Sequence, residues 1–437
     1  MPQIDLLTEL RWRGLVYQHT EGFPEALERS RAKGSGTEGG DRADVAAGLS
    51  GYCGFDPTAP SLHIGNLVQI MGLVHLQRHG HRPVALVGGG TGMIGDPSGK
   101  SAERTLQTPE QVAANVAGIR QQLGKFLRFD GPNAAIMQDN GDWLLTLGAV
   151  EFMRDVGKHF TVNYMLAKDS VKSRIDVGIS YTEFSYMLLQ AYDFLQLNRL
   201  HGVTLQTGGS DQWGNITAGI ELIRRTDGRE AHGLTLPLVT TASGAKFGKT
   251  ESGTVWLDSA LTSPYKFFQF WINADDRDVG KYLRYFTLMS EEEIQALDQL
   301  VAEQPERRQA QAALAQDVTT RVHGADATRI AMEASAVLFG KKDPRTLSAD
   351  VFEALAQEVP SARITTEAAP TVADLFVQAG LVKSRGEAKR LADQGGTYVN
   401  GERTAGAMQV AELPKLAGGH VLLRKGARDY AVVNLAE

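Results

Sequence analysis

The chain has 437 residues, 42% of them hydrophobic and 22% charged, with a net charge of −6 and one cysteine, Cys53. That length accommodates two or three domains, each with its own core. One cysteine excludes an internal disulfide framework and a Cys-rich zinc site, no apolar run reaches membrane-spanning length, and a mildly acidic balance neither advertises nor excludes a local nucleic-acid footprint.

In chain order, the first 14 residues, MPQIDLLTELRWRG, form an amphipathic helical pattern with Asp5 and Glu9, without the apolar stretch and cleavage site of a signal peptide. Residues 33–41 are small, polar and Gly-rich, and read as a flexible surface loop. From 51 to about 262, strand-like runs (84–87, 135–137, 203–206) alternate with helical ones (66–79, 182–198). Such alternation predicts a parallel sheet covered by helices, an α/β fold. Residues 265 to about 340 keep helical period with few turn signals and predict an all-helical domain. The chain is thus divided into 1–264, 265–345, a polar linker at 346–370, and a small module at 371–437. Within that module, Ser384 and Glu387 predict a capping box, Gly395–Gly396 a helix end, and Asn400–Gly401 a hairpin turn. The module carries nine Lys/Arg against seven Asp/Glu, a net of +2 in a chain of −6. Its helix places Arg385 and Lys389 one turn apart with Arg390 adjacent, which suits a phosphate backbone or is simply a solvated face.

Three segments carry chemistry. Residues 52–66, YCGFDPTAPSLHIGN, read as a strand running into a helix start that holds His63 and Gly65. Residues 88–101, GGGTGMIGDPSGKS, follow a strand. Gly90, Gly92 and Gly95 match a dinucleotide fingerprint, but Asp96–Pro97 breaks the helix that such a fingerprint requires. A P-loop reading fails because its first glycine falls on Ile94. Residues 246–250, KFGKT, form a short basic loop. Lysines beside Gly-rich turns can neutralise a polyphosphate, or be plain solvated charges. The first and third segments together resemble the two signatures of class I aminoacyl-tRNA synthetases. That resemblance implies attack by an amino-acid carboxylate on the α-phosphate of ATP. The carboxylate is already a nucleophile, so positioning and charge neutralisation suffice and no general base is needed.

The stretch 182–197, TEFSYMLLQAYDFLQL, is apolar almost all round, yet Tyr186, Gln190 and Asp193 fall on one stripe. A carboxylate on a buried helix must be paired or bound to something. The stripe is either a narrow exposed face or the polar wall of a small-molecule pocket. With the blocks DVGKHFTVNYMLAKDSV, QTGGSDQWGNI, KFGKTESGTVWLD and TSPYKFFQFWIN added, the whole chain resembles the bacterial-type tyrosyl-tRNA synthetases.

The resemblance implies a Rossmann-like parallel-sheet catalytic domain, an all-helical anticodon-side domain, and a small α+β RNA-binding C-terminal domain. By the same resemblance, Tyr52 and Asp193 hold the substrate phenol, Asp96, Tyr186 and Gln190 its ammonium, and Gln212 lies near its carboxylate. Cys53, Gly54, Asp56, Gly65 and Asp211 surround the adenylate. Thr58, His63 and Asn66 serve the phosphates, and Lys100, Arg104, Lys246, Lys249 and Thr250 meet pyrophosphate. Arg385, Lys389 and Arg390 contact tRNA. ATP enters with Mg2+, with no protein-bound metal or organic cofactor. The implied partners are tyrosine, ATP and tRNA(Tyr), in a cytoplasmic homodimer with no membrane attachment. Asn66 departs from the class histidine; it keeps a hydrogen-bond donor that does not titrate near neutral pH. The rivals are a tryptophan-activating relative, which has no hydroxyl for Tyr52 and Asp193 to bond, and a non-catalytic RNA-binding derivative, which would have no use for the loop cations.

Overall fold

A computed structural model describes residues 5–35, 48–98, 106–168, 171–172, 175, 178–244, 247–250 and 253–436. It divides into two units, one of residues 1–261 with 275–310, the other of 262–274 with 311–437.

The first unit is built on a six-stranded sheet: β1 (Gln18–His19), β2 (Ser50–Phe55), β3 (Arg82–Val87), β4 (Ile136–Asp139), β5 (Leu205–Gly209) and β6 (His232–Leu236), in the order β1-β6-β5-β2-β3-β4. Only the short β1 runs antiparallel to its neighbour; β2 pairs in parallel with both β3 and β5, so that Tyr52 stands opposite Val84 and Gln206. Strands buried on both faces tolerate continuous apolar runs such as PVALV, which explains why these segments lack clean alternation. Helix Leu67–Arg78 is buried from Leu67 through Gln77 except at Gln69. It lies so close to the sheet that a side chain at Gly72 would meet Leu236 at 2.8 Å. The other large cluster joins Tyr52, Val84 and Leu86 to Met187, Ala191 and Phe194 of helix Tyr181–His201 and to Ala218 and Leu222 of helix Trp213–Asp227.

Strand order reverses between β2 and β5. In open parallel sheets, the carboxyl ends of the strands at such a switch point leave a crevice for ligands. The segments that follow β2, β3 and β5 are those bearing Asp56, Thr91, Asp96, Asp211 and Gln212. A two-stranded hairpin, β7 (Lys249–Thr250) and β8 (Gly253–Thr254), completes the strands of this unit among the described residues. Of the stretch expected to be a loop, residues 33–35 end helix Phe23–Ser35, and 36–41 lie outside the described residues.

The N-terminal helix Leu6–Trp12 buries Leu6, Leu7 and Leu10, and the residue after it adds a polar clasp. Arg13 is 2% exposed. It pairs with Glu9 at 2.7 Å and donates to the carbonyls of Arg284 (3.1 Å), Thr287 (3.1 Å) and Met289 (2.7 Å). These carbonyls lie at the end of helix Asp276–Phe286, where backbone acceptors otherwise lack partners. Arg13→Met leaves the part-buried Glu9 with Trp12 Nε1 but without Arg13 Nε as a donor, and strands three carbonyls. It is expected to cost about 3 kcal/mol of stability, read as a lowered urea midpoint.

In the second unit, helices Pro264–Ile272 and Ala349–Leu355 pack on helix Ala325–Leu338. A five-stranded sheet follows: β9 (Ser361–Thr365), β10 (Thr397–Val399), β11 (Glu402–Arg403), β12 (His420–Lys425) and β13 (Asp429–Ala436), in the order β11-β10-β12-β13-β9. Residues 346–370, read from composition as a linker, contain helix Ala349–Leu355 and β9, which pairs in parallel with β13. Val351, Phe352 and Leu355 share a core with Ala334, Val337, Leu422 and Val432. The expected turn at Asn400–Gly401 is present, with φ of 51° and 88°. The capping box is altered. Ser384 accepts from the Glu387 amide as expected, but the Glu387 carboxylate accepts from the amide of Lys383 (2.9 Å) rather than that of Ser384.

Candidate active site

The residues gathered at the switch point fall into two hydrogen-bonded groups, one through Asp193, Asn140, Thr91, Asp56 and Tyr186, the other through Asp96, Gln212, Gln190 and Asn215. Tyr52 is 1% exposed and leans on Phe194, ring centroids 5.2 Å apart. Its buried hydroxyl has no hydrogen-bond partner among the described residues. Burial, then the nearby Asp193 charge, pushes this phenol well above its usual range. An unsatisfied buried hydroxyl is uncommon and costs about 1–3 kcal/mol, a cost that a ligand hydroxyl would offset.

Asp193 is 2% exposed. Its Oδ1 accepts from Trp143 Nε1 at 2.7 Å and its Oδ2 from Asn140 Nδ2 at 2.9 Å. Burial pushes its carboxyl up to about 8 against those two bonds, which favour the charged form. The polar stripe of helix Tyr181–His201 is therefore a buried wall and not an exposed face. A carboxyl whose folded value stands near 8, against an ordinary 3.8, favours the folded state only while it holds its proton. Its contribution is complete below pH ~4 and lost as pH rises to about 8. Asp193→Asn should flatten that loss. Urea midpoints of the parent are expected to fall more than those of the variant between pH ~5 and pH ~9, and equal slopes would refute the charge assignment.

Asn140 ties this carboxylate to the glycine-rich turn. Its Oδ1 accepts from Gly90 N (2.8 Å) and its Nδ2 also reaches Thr91 Oγ1 (2.9 Å). Thr91 Oγ1 donates to Asp56 Oδ1 (2.7 Å), and Tyr186 Oη donates to Asp56 Oδ2 (2.7 Å). The turn must be glycine where it passes Asp56 and Asp139. A side chain at Gly88 would lie 2.3 Å from Asp56 Oδ1, and one at Gly89 2.2 Å from Asp139 Oδ1. Asn140, Trp143 and Thr91 had no assigned role in the sequence reading. A signal for the first two was available: a buried Asp193 needs donors, and Asn140 and Trp143 directly follow β4.

On the other side, Gln212 Nε2 donates to Asp96 Oδ2 (2.7 Å). Gln190 Nε2 donates to Gln212 Oε1 (3.3 Å), and Asn215 Nδ2 donates to both Gln190 Oε1 (3.0 Å) and Gln212 Oε1 (3.1 Å). Asp211 is exposed beside Gln212. Gly54 is exposed, and nothing stands within 4 Å of where its side chain would begin. By strand alternation it shares a face with Tyr52, so a flat ligand could rest on its backbone. Cys53 is buried, and burial pushes its thiol up to about 12, which keeps it protonated.

The two signatures meet. His63 caps a short 3-10 turn, Ile64–Asn66: its Nδ1 accepts from Gly65 N (3.0 Å), while Asn66 Oδ1 accepts from His63 N (3.0 Å). The backbone of the second signature runs alongside. Ile64 N donates to Val255 O and Val255 N to Gly248 O, each at 3.1 Å, and His63 bridges to Trp256. Gly248 has φ of 80°, and a side chain there would strike Ile64 at 2.9 Å, so glycine is required twice over. Thr58 is exposed after β2, its amide bonded to Asp56 O (2.9 Å). Lys100, Arg104 and Lys246 lie outside the described residues, and Lys249 and Thr250 are described as the strand β7 only.

In the second unit, Lys389 and Arg390 are exposed. Arg385 is exposed as well and pairs with the buried Asp374, which also accepts from Thr371 Oγ1 at 2.7 Å.

Residues 46–340 match the family described as tRNA synthetases class I (W and Y). Residues 351–433 match the tyrosine–tRNA ligase SYY-like C-terminal domain. Similar curated proteins include the tyrosine–tRNA ligase of Anaeromyxobacter dehalogenans strain 2CP-1, 55% identical over 99% of both chains. That of Bacillus caldotenax is 52% identical over 99% of this chain and all of its own. Among solved structures, a C-terminally truncated mitochondrial tyrosyl-tRNA synthetase of Aspergillus nidulans aligns at 28% identity and a TM-score of 0.66. The alignment covers 77% of this chain and 95% of that one.

Proposed function

The chain belongs to the class I tRNA synthetases for tryptophan and tyrosine, and from that membership we propose how its residues share the work. It acts as an ATP-dependent tyrosine–tRNA ligase, forming tyrosyl-adenylate and passing tyrosine to the 3'-terminal adenosine of tRNA(Tyr). In our reading, Tyr52 and Asp193 bond the substrate phenol, Asp96, Tyr186 and Gln190 hold the ammonium, and Gln212 orients the carboxylate. Asp56 belongs to two tasks, because it braces Tyr186 and stands beside the adenylate position with Cys53, Gly54, Gly65 and Asp211. Thr58, His63 and Asn66 attend the phosphates of the magnesium-bound ATP, and Lys100, Arg104, Lys246, Lys249 and Thr250 attend the departing pyrophosphate.

One observation carries the choice of tyrosine: a buried Tyr52 hydroxyl, unpartnered among the described residues, next to a fixed Asp193. A bare phenyl ring offers nothing to either group, and an indole N–H donates but has no oxygen to accept from Tyr52. A site built around a hydroxyl rejects the analogue that lacks it, an asymmetry for which tyrosyl enzymes are themselves the usual worked example.

We propose that the active form is a homodimer in the cytoplasm. Leu145, Val150, Met153, Val162 and Leu166 are exposed along one stretch of chain, which supports a covered surface there. No helix among the described residues is long and apolar enough to cross a membrane. The C-terminal module is assigned to tRNA, with the exposed Arg385, Lys389 and Arg390 as phosphate contacts.

The test is exchange of pyrophosphate into ATP without tRNA, run with each of the twenty amino acids. Tyrosine alone is expected to drive it. Equal exchange with phenylalanine or tryptophan would overturn the roles given to Tyr52 and Asp193.

A further inference from the structure

Helix Asp276–Phe286 lies outside every motif singled out in the sequence, yet it holds the second signature at Phe247 by two ring contacts and the residues before it at Thr240 and Ala242. Lys281 Nζ donates to Thr240 O at 2.7 Å. Asp278 Oδ2 accepts from Ala242 N at 2.8 Å, and its other oxygen pairs with Lys281 at 3.0 Å. Phe247, buried in the signature itself, packs on Tyr282 (centroids 5.1 Å) and stacks on Phe286 (5.4 Å, 7° between planes). Positions 278, 281, 282 and 286 follow at helical spacings of three, one and four, so they fall on one face. The same helix packs on helix Leu67–Arg78, which opens at the first signature.

These contacts differ from ordinary core packing in where they act. Phe247 is the residue before Gly248, whose backbone meets Ile64 of the first signature, and Lys249 follows at once. A short segment held at Thr240, Ala242 and Phe247 has little freedom left at Gly248. A shift of about 1 Å in a group that acts on the transition state is enough to cost about 100-fold in rate.

We propose that Phe247, with its seat of Asp278, Lys281, Tyr282 and Phe286, positions the second signature for amino-acid activation. None of these five touches substrate; they act through Gly248 and Lys249. The inference rests on the reading that Lys249 serves the pyrophosphate. It also accounts for phenylalanine in a signature whose other members are Lys, Gly and Thr, because the ring is the anchor.

The test uses the full-length protein with Phe247→Ala, Phe247→Leu, Lys281→Met and, as a reference, Lys249→Ala. Pyrophosphate exchange at saturating tyrosine and ATP gives the rate, and equilibrium titration with tyrosine alone gives affinity. Phe247→Ala is expected to lower the rate about 10-fold or more with tyrosine affinity within about twofold, because the loss falls on the transition state. Phe247→Leu should recover most of the rate. Lys281→Met, at a half-exposed side chain, removes both the bond to Thr240 and the pair with the buried Asp278, and should lower it about threefold or more, with a urea midpoint reporting any loss of stability. The proposal fails if Phe247→Ala and Lys281→Met keep the parent rate while Lys249→Ala is impaired. It also fails if tyrosine affinity falls in step with rate in both, which would mark general loss of structure. A Lys249→Ala enzyme with parental rate would instead remove the role of the signature itself, and the seat with it.

Discussion

Lys249→Ala and Lys246→Ala are each expected to lower the rate of tyrosyl-adenylate formation about 100-fold or more while leaving tyrosine affinity within about twofold. The reaction places new charge on the leaving pyrophosphate, and the attacking carboxylate needs no base. A cation that meets that charge only as it develops contributes to rate and not to ground-state binding. The structure supports this assignment through the backbone. Gly248 and Val255 hydrogen-bond alongside Ile64, which brings β7 next to the turn capped by His63. Single-turnover formation of the adenylate, beside equilibrium binding of tyrosine, separates the two quantities. A large loss of affinity with an unaltered rate would mean that these lysines hold tyrosine and not pyrophosphate. The Asn66 contribution should also leave no inflection near neutral pH in the same rate profile, because an amide does not titrate.

What could be read in the sequence depended on whether the information was local. His63, Gly65 and the lysines of KFGKT stand in short strings whose chemistry is visible in order, and the parallel sheet followed from apolar runs alternating with helical ones. The stripe of Tyr186, Gln190 and Asp193 was legible, but periodicity could not say whether it faced water or lined a pocket. Only the structure shows Asp193 buried against Asn140 and Trp143. Those partners were missed because they lie 53 and 50 residues away, Asn140 just before and Trp143 within a short helix, Gly141–Leu144, with no pattern of its own. Residues 346–370 looked like a linker because their polar and Pro-containing composition is that of a loop. β9 is a strand only because β13 supplies its hydrogen bonds from across the module. The seat on helix Asp276–Phe286 was invisible for a related reason: its helical period predicted the element correctly, but period does not tell which chain segment a face will receive.

Ending the chain after residue 345 is expected to abolish tRNA charging and leave pyrophosphate exchange within about threefold of the parent. Loss of the phosphate contacts removes most of the affinity for RNA, whereas the activation residues all lie in the unit formed by 1–261 and 275–310. The structure adds a consequence that composition alone did not suggest. The cut removes Val351, Phe352, Leu355, Leu422 and Val432 from a core that Ala334 and Val337 share. The remaining helical part of the second unit should therefore expose apolar surface and lower the solubility of the shortened protein, so charging must be compared with a less disruptive change. Lys389→Ala with Arg390→Ala serves, because both side chains are exposed and their loss leaves the fold intact. That double variant should weaken tRNA binding and reduce its salt dependence by up to about two counterions, while exchange is unchanged. The decisive measurement is paired: exchange and charging on the parent, the shortened chain and the double variant, at two salt concentrations. If the shortened chain charges tRNA at the parent rate, the module is not a tRNA-binding domain. If exchange is lost while the first unit remains folded, activation depends on the second unit, and the separation argued from the two units is wrong.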